Sequence, residues 1–249
     1  MREETLKKIY NGLLVFAFFN IIVLFVIYRN PDFKLNLNVL KDYSGLIGQA
    51  YLTTIYISIL SLIISLAFSV ILFFMSISKR LYLNYFYSTY TQIALGVPLI
   101  VHVIVLYFFF TSAIGIKSPI IAGTLILSGY MSAYFAKTFQ GAYEAIDEQQ
   151  FKIIHILQLP RRVAMKKIIA PQIIKNTLPT LTSHFSLLVK STALLSLISV
   201  PEFTNAINAF NSKTFEFVTG YVVLALGYLL ITIPLNYIAK WLNKKVVAR

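Results

Sequence analysis

Long apolar runs, separated by short polar segments, dominate the 249 residues of this chain. A helix needs about 20 mostly apolar residues to cross a bilayer, whereas a membrane-spanning strand needs only about 9–11. Six segments meet the helical requirement: residues 12–28, 46–77, a stretch within 90–113, a stretch within 120–139, residues 178–200 and residues 217–239. The pattern therefore predicts an all-α membrane protein with about six transmembrane helices.

The positive charges between these segments predict the orientation. If the N-terminus is inside, 16 of the 22 lysines and arginines fall in inside segments, five fall in outside segments, and Lys190 falls within a span. Loops on the cytoplasmic side carry the excess of Lys and Arg. Both termini are therefore expected in the cytoplasm.

The first apolar segment is expected to stay in the protein as an anchor. Basic residues precede it, but the sequence at 29–31 offers no small-residue cleavage site of the kind that ends a signal peptide. We divide the chain into residues 1–45, which hold the N-terminal tip, the anchor helix and an external loop, and residues 46–249. The second part is one transmembrane domain with a cytoplasmic loop at 141–177.

Composition excludes several classes of protein. Only 12% of the residues are charged, against about 25% in an ordinary soluble domain, and 58% are hydrophobic. This composition therefore excludes a soluble enzyme and a disordered chain as classes for this protein. The net charge of +13 is attributed to basic loops facing anionic lipid, so no nucleic acid is expected as a partner.

No catalytic or metal site is predicted. The chain has no cysteine and three histidines, and it contains neither a Walker A sequence nor a Ser-His-Asp set. It is therefore expected to be neither an enzyme nor a binder of a cofactor.

The second span carries serines at positions 58, 61, 65 and 69, whose spacings of three and four place them on one helical face. Small residues allow close approach of helices in lipid, so a helix–helix seam is the plainer interpretation. A polar stripe beside a translocation path is the other, and the two are compatible. In the third span, Pro98 follows Gly96, and a proline is expected to bend the helix there.

Lys190 is the one basic residue deep in a predicted span. Such a residue either lines a polar cavity and meets an anionic group, or extends its side chain to the membrane surface. His102 and His184 also fall in or near spans, where a histidine serves packing or a polar path.

The loop at 141–177 is patterned. Apolar residues among 151–159 recur at helical spacing, and Pro160 is expected to end this short helix. A second short basic helix is predicted after it, with Pro171 and Pro179 bracketing the return to the membrane. The hairpin either lies on anionic lipid or docks a cytoplasmic partner.

A set of short motifs in this half of the chain resembles the membrane-spanning permease subunit of ABC importers of the polar amino acid type. Residues 149–159 resemble the family's G-Q-x-E-A-A-x-A-L-G-L, residues 168–172 its V-I-L-P-Q, residues 190–194 its K-D-T-S-L and residues 200–204 its V-x-E-L-T. Upstream, residues 96–102 resemble G-T-P-L-L-V-Q, residues 133–136 resemble A-Y-x-A, and residues 140–142 resemble R-G-A. The order and spacing of these motifs, rather than any one of them, carry the resemblance.

Departures from the family pattern stand out at three places. Lys152-Ile153-Ile154 replaces the family's Glu-Ala-Ala, and Gln158 replaces its glycine. The first span is additional to the usual five-helix core. These changes indicate a divergent member, or one half of a heteromeric permease pair.

The resemblance implies two functional regions. The coupling helix that meets the ATPase subunit would comprise Glu148, Gln150, Phe151, Lys152, Ile153, Ile154, His155, Leu157, Gln158, Leu159 and Pro160. The substrate path would include Gly96, Pro98, His102, Lys190, Ser191 and Thr192.

The resemblance also implies the partners and the place of the protein. They are a cytoplasmic ABC ATPase dimer that binds the ATP and Mg, a second permease copy or paralogue, an external solute-binding protein, a small polar solute such as an amino acid, and the lipid of a bacterial inner or plasma membrane. Three alternatives stay open: a permease for another solute such as methionine, phosphonate or a chelate, an ion-driven carrier, and a scaffold that no longer couples to ATP.

Overall fold

A computed structural model of the chain describes residues 2–29, 34–111 and 113–247. Residues 30–33, in the predicted external loop, and residue 112, in the predicted third span, lie outside the described residues. The helices are α1 (Arg2–Arg29), α2 (Leu37–Asp42), α3 (Ser44–Ser76), α4 (Leu81–Gly96), α5 (Leu99–Val105), α6 (Pro119–Glu144), α7 (Glu148–Ile156), α8 (Arg161–Ala164), α9 (Ala170–Ser191), α10 (Phe203–Thr214) and α11 (Phe217–Val247). The described residues include no β-strand, so the predicted all-α class is confirmed.

Helices α3 and α6 pack side by side in the same direction and form the centre of the bundle. The serine stripe of α3 is buried in this contact, and Ser61 donates a hydrogen bond to the carbonyl of Thr124 at 3.3 Å. Further along, the Phe73 ring lies edge-on to Phe139 and Tyr143 near the end of α6. The stripe therefore forms a helix–helix seam.

The chain between α3 and α6 is broken at Pro98. Helices α4 and α5, the latter extended by a π-helical segment Leu106–Thr111, meet at a bend of 105°. The predicted bend is confirmed, but α4 already begins at Leu81, inside the segment expected to be a cytoplasmic loop. The broken pair connects the end of α3 to the start of α6, and its two helices are long and apolar enough for a membrane span only when taken together.

The predicted second loop helix is not separate from the fifth span. A continuous helical stretch of 38 residues runs from Arg161 to Ile198, through a π-helical segment, α9 and a 3-10 segment Thr192–Ile198. Pro171 lies in its interior, at the start of α9, and Pro179 lies inside α9, so neither ends a helix. Pro171 follows directly after the π-helical segment Met165–Ile169, and membrane helices tolerate an interior proline where the displaced backbone groups find other partners.

Within the described residues, four helices are long and apolar enough to cross a membrane: Ser44–Ser76, Pro119–Glu144, Arg161–Ile198 and Phe217–Trp241. The number rises to five if the two helices of the broken pair form one span. Helix α1 is present, but several of its side chains are not described, so the total of six stays a prediction.

Helix α10 closes the end of the bundle opposite α7. Glu202 caps it, accepting hydrogen bonds from the backbone N–H of Thr204 (2.9 Å) and Asn205 (2.7 Å) and from the hydroxyl of Tyr228 (3.2 Å). The carboxylate is fully buried. Glu202 falls between the predicted fifth and sixth spans. Its burial is possible because a helix N-terminus and a hydroxyl satisfy its oxygens.

Candidate coupling helix and translocation face

Helix α7 is defined at both ends by local chemistry. Asp147 caps its start by accepting a hydrogen bond from the backbone N–H of Gln149 at 2.8 Å. At its end Gln158 takes a left-handed conformation with φ of 50°, and the N–H of Leu159 reaches back to the carbonyl of Ile154. The helix thus ends at Ile156, before the predicted stop at Pro160, because this turn has already left the helical path.

One side of α7 is fixed to the bundle. Phe151 and Ile154 pack into a small apolar cluster that includes Phe73 and Ile169, and the Phe151 ring lies 5.4 Å from that of Tyr143. Gln172 of α9 donates its side-chain N–H to the side-chain oxygen of Gln150 at 2.9 Å. These contacts therefore link α7 to α9.

The other side of α7 presents apolar side chains to solvent. Ile153, Ile156 and Leu157 are 53%, 76% and 61% exposed, and we name them the outer patch. Exposed Lys152 and His155 flank it. An exposed apolar group of this kind, rimmed by polar side chains, is typical of a protein contact.

The predicted coupling residues divide between these two sides. Half-buried residues are Gln150, Phe151, Ile154 and Leu159, and exposed residues are Glu148, Lys152, Ile153, His155, Leu157, Gln158 and Pro160. The sequence suggested a single apolar face and left Ile156, the most exposed of the apolar residues, out of the coupling set. The residues that fill the cluster and those that face outward have the same apolar character, so the pattern alone could not separate them.

A row of half-buried polar side chains runs along α6 between α5 and α9, and we name it the polar ladder. It consists of His102, Tyr130, Tyr134, His184 and Thr138. The rings of His102 and Tyr130 are 5.3 Å apart, and the hydroxyls of Tyr130 and Tyr134 are 3.1 Å apart. His184 lies 5.4 Å ring to ring from Tyr134, and its Nε2 is 3.1 Å from the Thr138 hydroxyl.

The ladder opens into a cavity at the α7 end of the bundle, which we name the mouth cavity. Its volume is about 670 Å³, and Thr138 belongs to both features. Lys137 and Lys175 lie in its walls, with Thr180 on α9, and no acidic side chain lines it. The polar ladder and the mouth cavity thus meet at Thr138, and two lysines lie in the cavity walls.

The ladder was only partly foreseen from the sequence. Tyr130, Tyr134 and Thr138 share a face of α6 because they are spaced by four, a signal that the sequence analysis did not use. His184 was singled out but not assigned to the path.

The structure separates the predicted path residues from one another. His102 joins the ladder, whereas Gly96 and Pro98 lie exposed at the bend. Ser191 and Thr192 are buried, and their hydroxyls donate to the backbone carbonyls of Leu187 and Val189. Lys190 is exposed in the last turn of α9, so its role stays a prediction.

Two relatives are similar to this chain over most of its length. A protein of Rickettsia bellii (strain RML369-C) that bears the name glutamine transport system permease protein GlnP is 29% identical over 202 residues, 81% of this chain and 93% of that protein. The arginine ABC transporter permease protein ArtQ of Haemophilus influenzae is 28% identical over 200 residues, 78% of this chain and 90% of that protein.

A solved structure has the same fold. The crystal structure of an amino acid ABC transporter with histidines matches with a TM-score of 0.77 and 23% identity, over 85% of this chain and 99% of that one.

The family assignment follows from a match that covers most of the chain. Residues 73–248 match the family described as "Binding-protein-dependent transport system inner membrane component". This region contains α6, α7, α9 and the polar ladder. The chain therefore belongs to the family of inner-membrane permease components of binding-protein-dependent transport systems.

Proposed function

We propose that this chain forms the translocation path of an ATP-driven importer for a polar amino acid and receives a cytoplasmic ATPase on α7. The observation that carries the proposal is the two-sided construction of α7. Its inner side is fixed to the transmembrane helices by Phe151, Ile154 and the Gln150–Gln172 bond, while the outer patch is free to meet a partner.

The coupling part is tested by Ile156→Asp in the complete transporter. A charge in a desolvated contact weakens binding strongly, so we expect ATPase subunits to be lost during purification and ATP hydrolysis stimulated by the solute-binding protein to fall. Phe215→Asp is the matched control, since Phe215 is 79% exposed at the opposite end of the bundle. Retention of the ATPase by the Ile156 variant, or equal loss in both variants, contradicts the coupling role of α7.

The polar ladder supports the second part of the proposal. Its histidines and tyrosines offer hydrogen bonds to a polar solute, and the cationic mouth cavity favours a solute that carries a carboxylate. The names of the relatives, which refer to glutamine and arginine, lead us to an amino acid as the solute class.

The path is tested by uptake of labelled amino acids in vesicles loaded with ATP. We expect His184→Ala to lower uptake by about tenfold, the effect of one lost hydrogen bond to a charged group, with capture by the solute-binding protein unchanged. Lys190→Gln, compared under the same conditions, tests whether the lysine also faces the path. Unchanged uptake in the His184 variant contradicts the ladder as path.

A panel of solutes separates the alternatives. Uptake of methionine, a phosphonate or a chelate in place of polar amino acids would mean that the chain is a permease for a different solute. Uptake that follows an ion gradient without ATP would indicate a carrier, and no uptake of any solute would indicate a scaffold.

A further inference from the structure

A second cavity lies on the opposite side of α7 from the outer patch. It has a volume of about 510 Å³ and is enclosed by the turn after α3, by α7 and by α8. Its floor is apolar and includes Phe151, Ile154 and Ile169, the same side chains that fix α7 to the bundle.

The rim of this cavity is basic. Lys79, Arg80 and Arg161 line it, all three are exposed, and no acidic residue is among the lining side chains. None of the three forms an ion pair with another residue in the described part of the chain, and the one side-chain hydrogen bond among them runs from Arg80 to the hydroxyl of Tyr82 at 3.2 Å. Their positive charge is therefore available to a ligand.

The position of the cavity fixes the depth at which a ligand would lie. The apolar helix α3 ends at Ser76, directly before the two basic residues of the turn, and the long helical span of the fifth crossing begins at Arg161. Where apolar spans end and basic side chains begin, the phosphate groups of the lipid are found.

We propose that this cavity binds an anionic phospholipid, with its phosphodiester on the Lys79–Arg80–Arg161 rim and acyl carbons on the apolar floor. Arginine and lysine bind phosphate well, and basic pockets between transmembrane helices on the cytoplasmic side suit such head groups. Because Phe151 and Ile154 belong to the floor, a bound lipid would brace α7 against the bundle from beneath.

The test is native mass spectrometry of the purified chain titrated with phosphatidylglycerol or with phosphatidylcholine. We expect preferential retention of phosphatidylglycerol, reduced about fivefold for each rim cation changed to Ala. The matched control changes Arg162, Lys166 and Lys167 to Ala, which removes the same charge from exposed residues of the same segment that do not line the cavity. Arg80→Lys with Arg161→Lys, which keeps the charge, is expected to retain most of the binding.

Three results would overturn the proposal. Equal loss of lipid in the rim and control variants would mean general attraction to the surface. Equal binding of inorganic phosphate, measured by competition, would mean that the apolar floor contributes nothing. Unchanged lipid binding in the rim variants would mean that the three cations take no part in holding the lipid. Since the lipid is counted on the permease alone, these outcomes do not depend on the proposed transport function.

Discussion

Gln158 occupies a backbone conformation that suits glycine better than any residue with a side chain. Its φ of 50° lies in the left-handed region, where an L-residue is disfavoured by roughly 1–2 kcal/mol. The family resemblance places a glycine at this position, so the departure seen in the sequence corresponds to strain in the turn that ends α7.

We expect Gln158→Gly to raise the free energy of unfolding by about 1 kcal/mol, because glycine adopts this conformation without strain. Hydrogen exchange of the α7 amides measures the effect locally, and the thermal midpoint of the purified protein measures it globally. Gln149→Gly, within the helical part of α7, is the control and is expected to lower stability. Faster hydrogen exchange of the α7 amides in the Gln158 variant would contradict the proposal that Gln158 is strained.

Glu202, at the end of the bundle opposite α7, is expected to make the stability of the protein depend on pH. Burial raises the pKa of this carboxyl above its ordinary value of 4.5, although hydrogen bonds from Thr204, Asn205 and Tyr228 oppose the shift. A folded-state pKa above the unfolded value gives stability that is fully present below the unfolded pKa and lost as the pH rises through the folded pKa.

The thermal midpoint of the wild type is therefore expected to fall, relative to that of Glu202→Gln, as the pH rises above 4.5. The variant has no such titration, although at every pH it loses part of the cap of α10. Parallel midpoints for the two proteins between pH 4 and pH 8 would contradict the raised pKa.

Among the elements, α10 and α11 approach closely because α11 has a glycine, Gly227, where they meet. A Cβ atom added at Gly227 of α11 would overlap the ring of Phe203, which is buried and also lies edge-on to Tyr51 and Tyr228. The ring cannot move aside, since neighbouring rings fix it.

We expect Gly227→Ala to lower the free energy of unfolding by about 1–3 kcal/mol, the usual effect of overpacking. Gly129→Ala is the control, because the nearest atom to its added Cβ is the Tyr90 hydroxyl at 3.5 Å, an ordinary contact. Denaturant titration of both variants measures the difference. Equal stability would contradict the close approach of α10 to α11.

The elements show which features the sequence could predict. Apolar length predicted four of the crossings, and Pro98 predicted the bend, because both depend on local composition. The prediction of a separate second loop helix was wrong, because Pro171 and Pro179 both lie within one continuous helical stretch. The ladder required the relative positions of α5, α6 and α9, and no local pattern contains that information.

At the scale of the whole molecule, the polar ladder and the mouth cavity lie on a side of the bundle that this chain does not cover. A polar route through lipid has to be enclosed, because exposed polar groups are costly in hydrocarbon. We therefore expect a second copy or a second permease to face α6 and α9.

A cysteine placed in the mouth cavity tests this arrangement, since the chain has no cysteine of its own. Thr180→Cys is expected to give a disulfide-linked dimer, or a crosslink to a cysteine in the second permease, under mild oxidation. Ile63→Cys, on an exposed position of α3, serves as the control and is expected to stay monomeric. Equal crosslinking at both positions, or none at either, would place the partner elsewhere.

The proline inside α9 divides the helix into two arms. Gln172, joined to α7, lies in one arm, and His184 of the ladder lies 12 residues away in the other, a distance of about 18 Å along the axis. Pro179 removes one backbone hydrogen bond between them, and the carbonyl it releases belongs to Lys175, at the wall of the mouth cavity. Helix α9 is therefore expected to bend more readily at Pro179, beside the mouth cavity, than elsewhere along its length. A displacement of α7 would tilt the arm that contains Gln172 about Pro179 and would change the width of the mouth cavity. The polar ladder, which His184 joins on the other arm, would keep its hydrogen bonds.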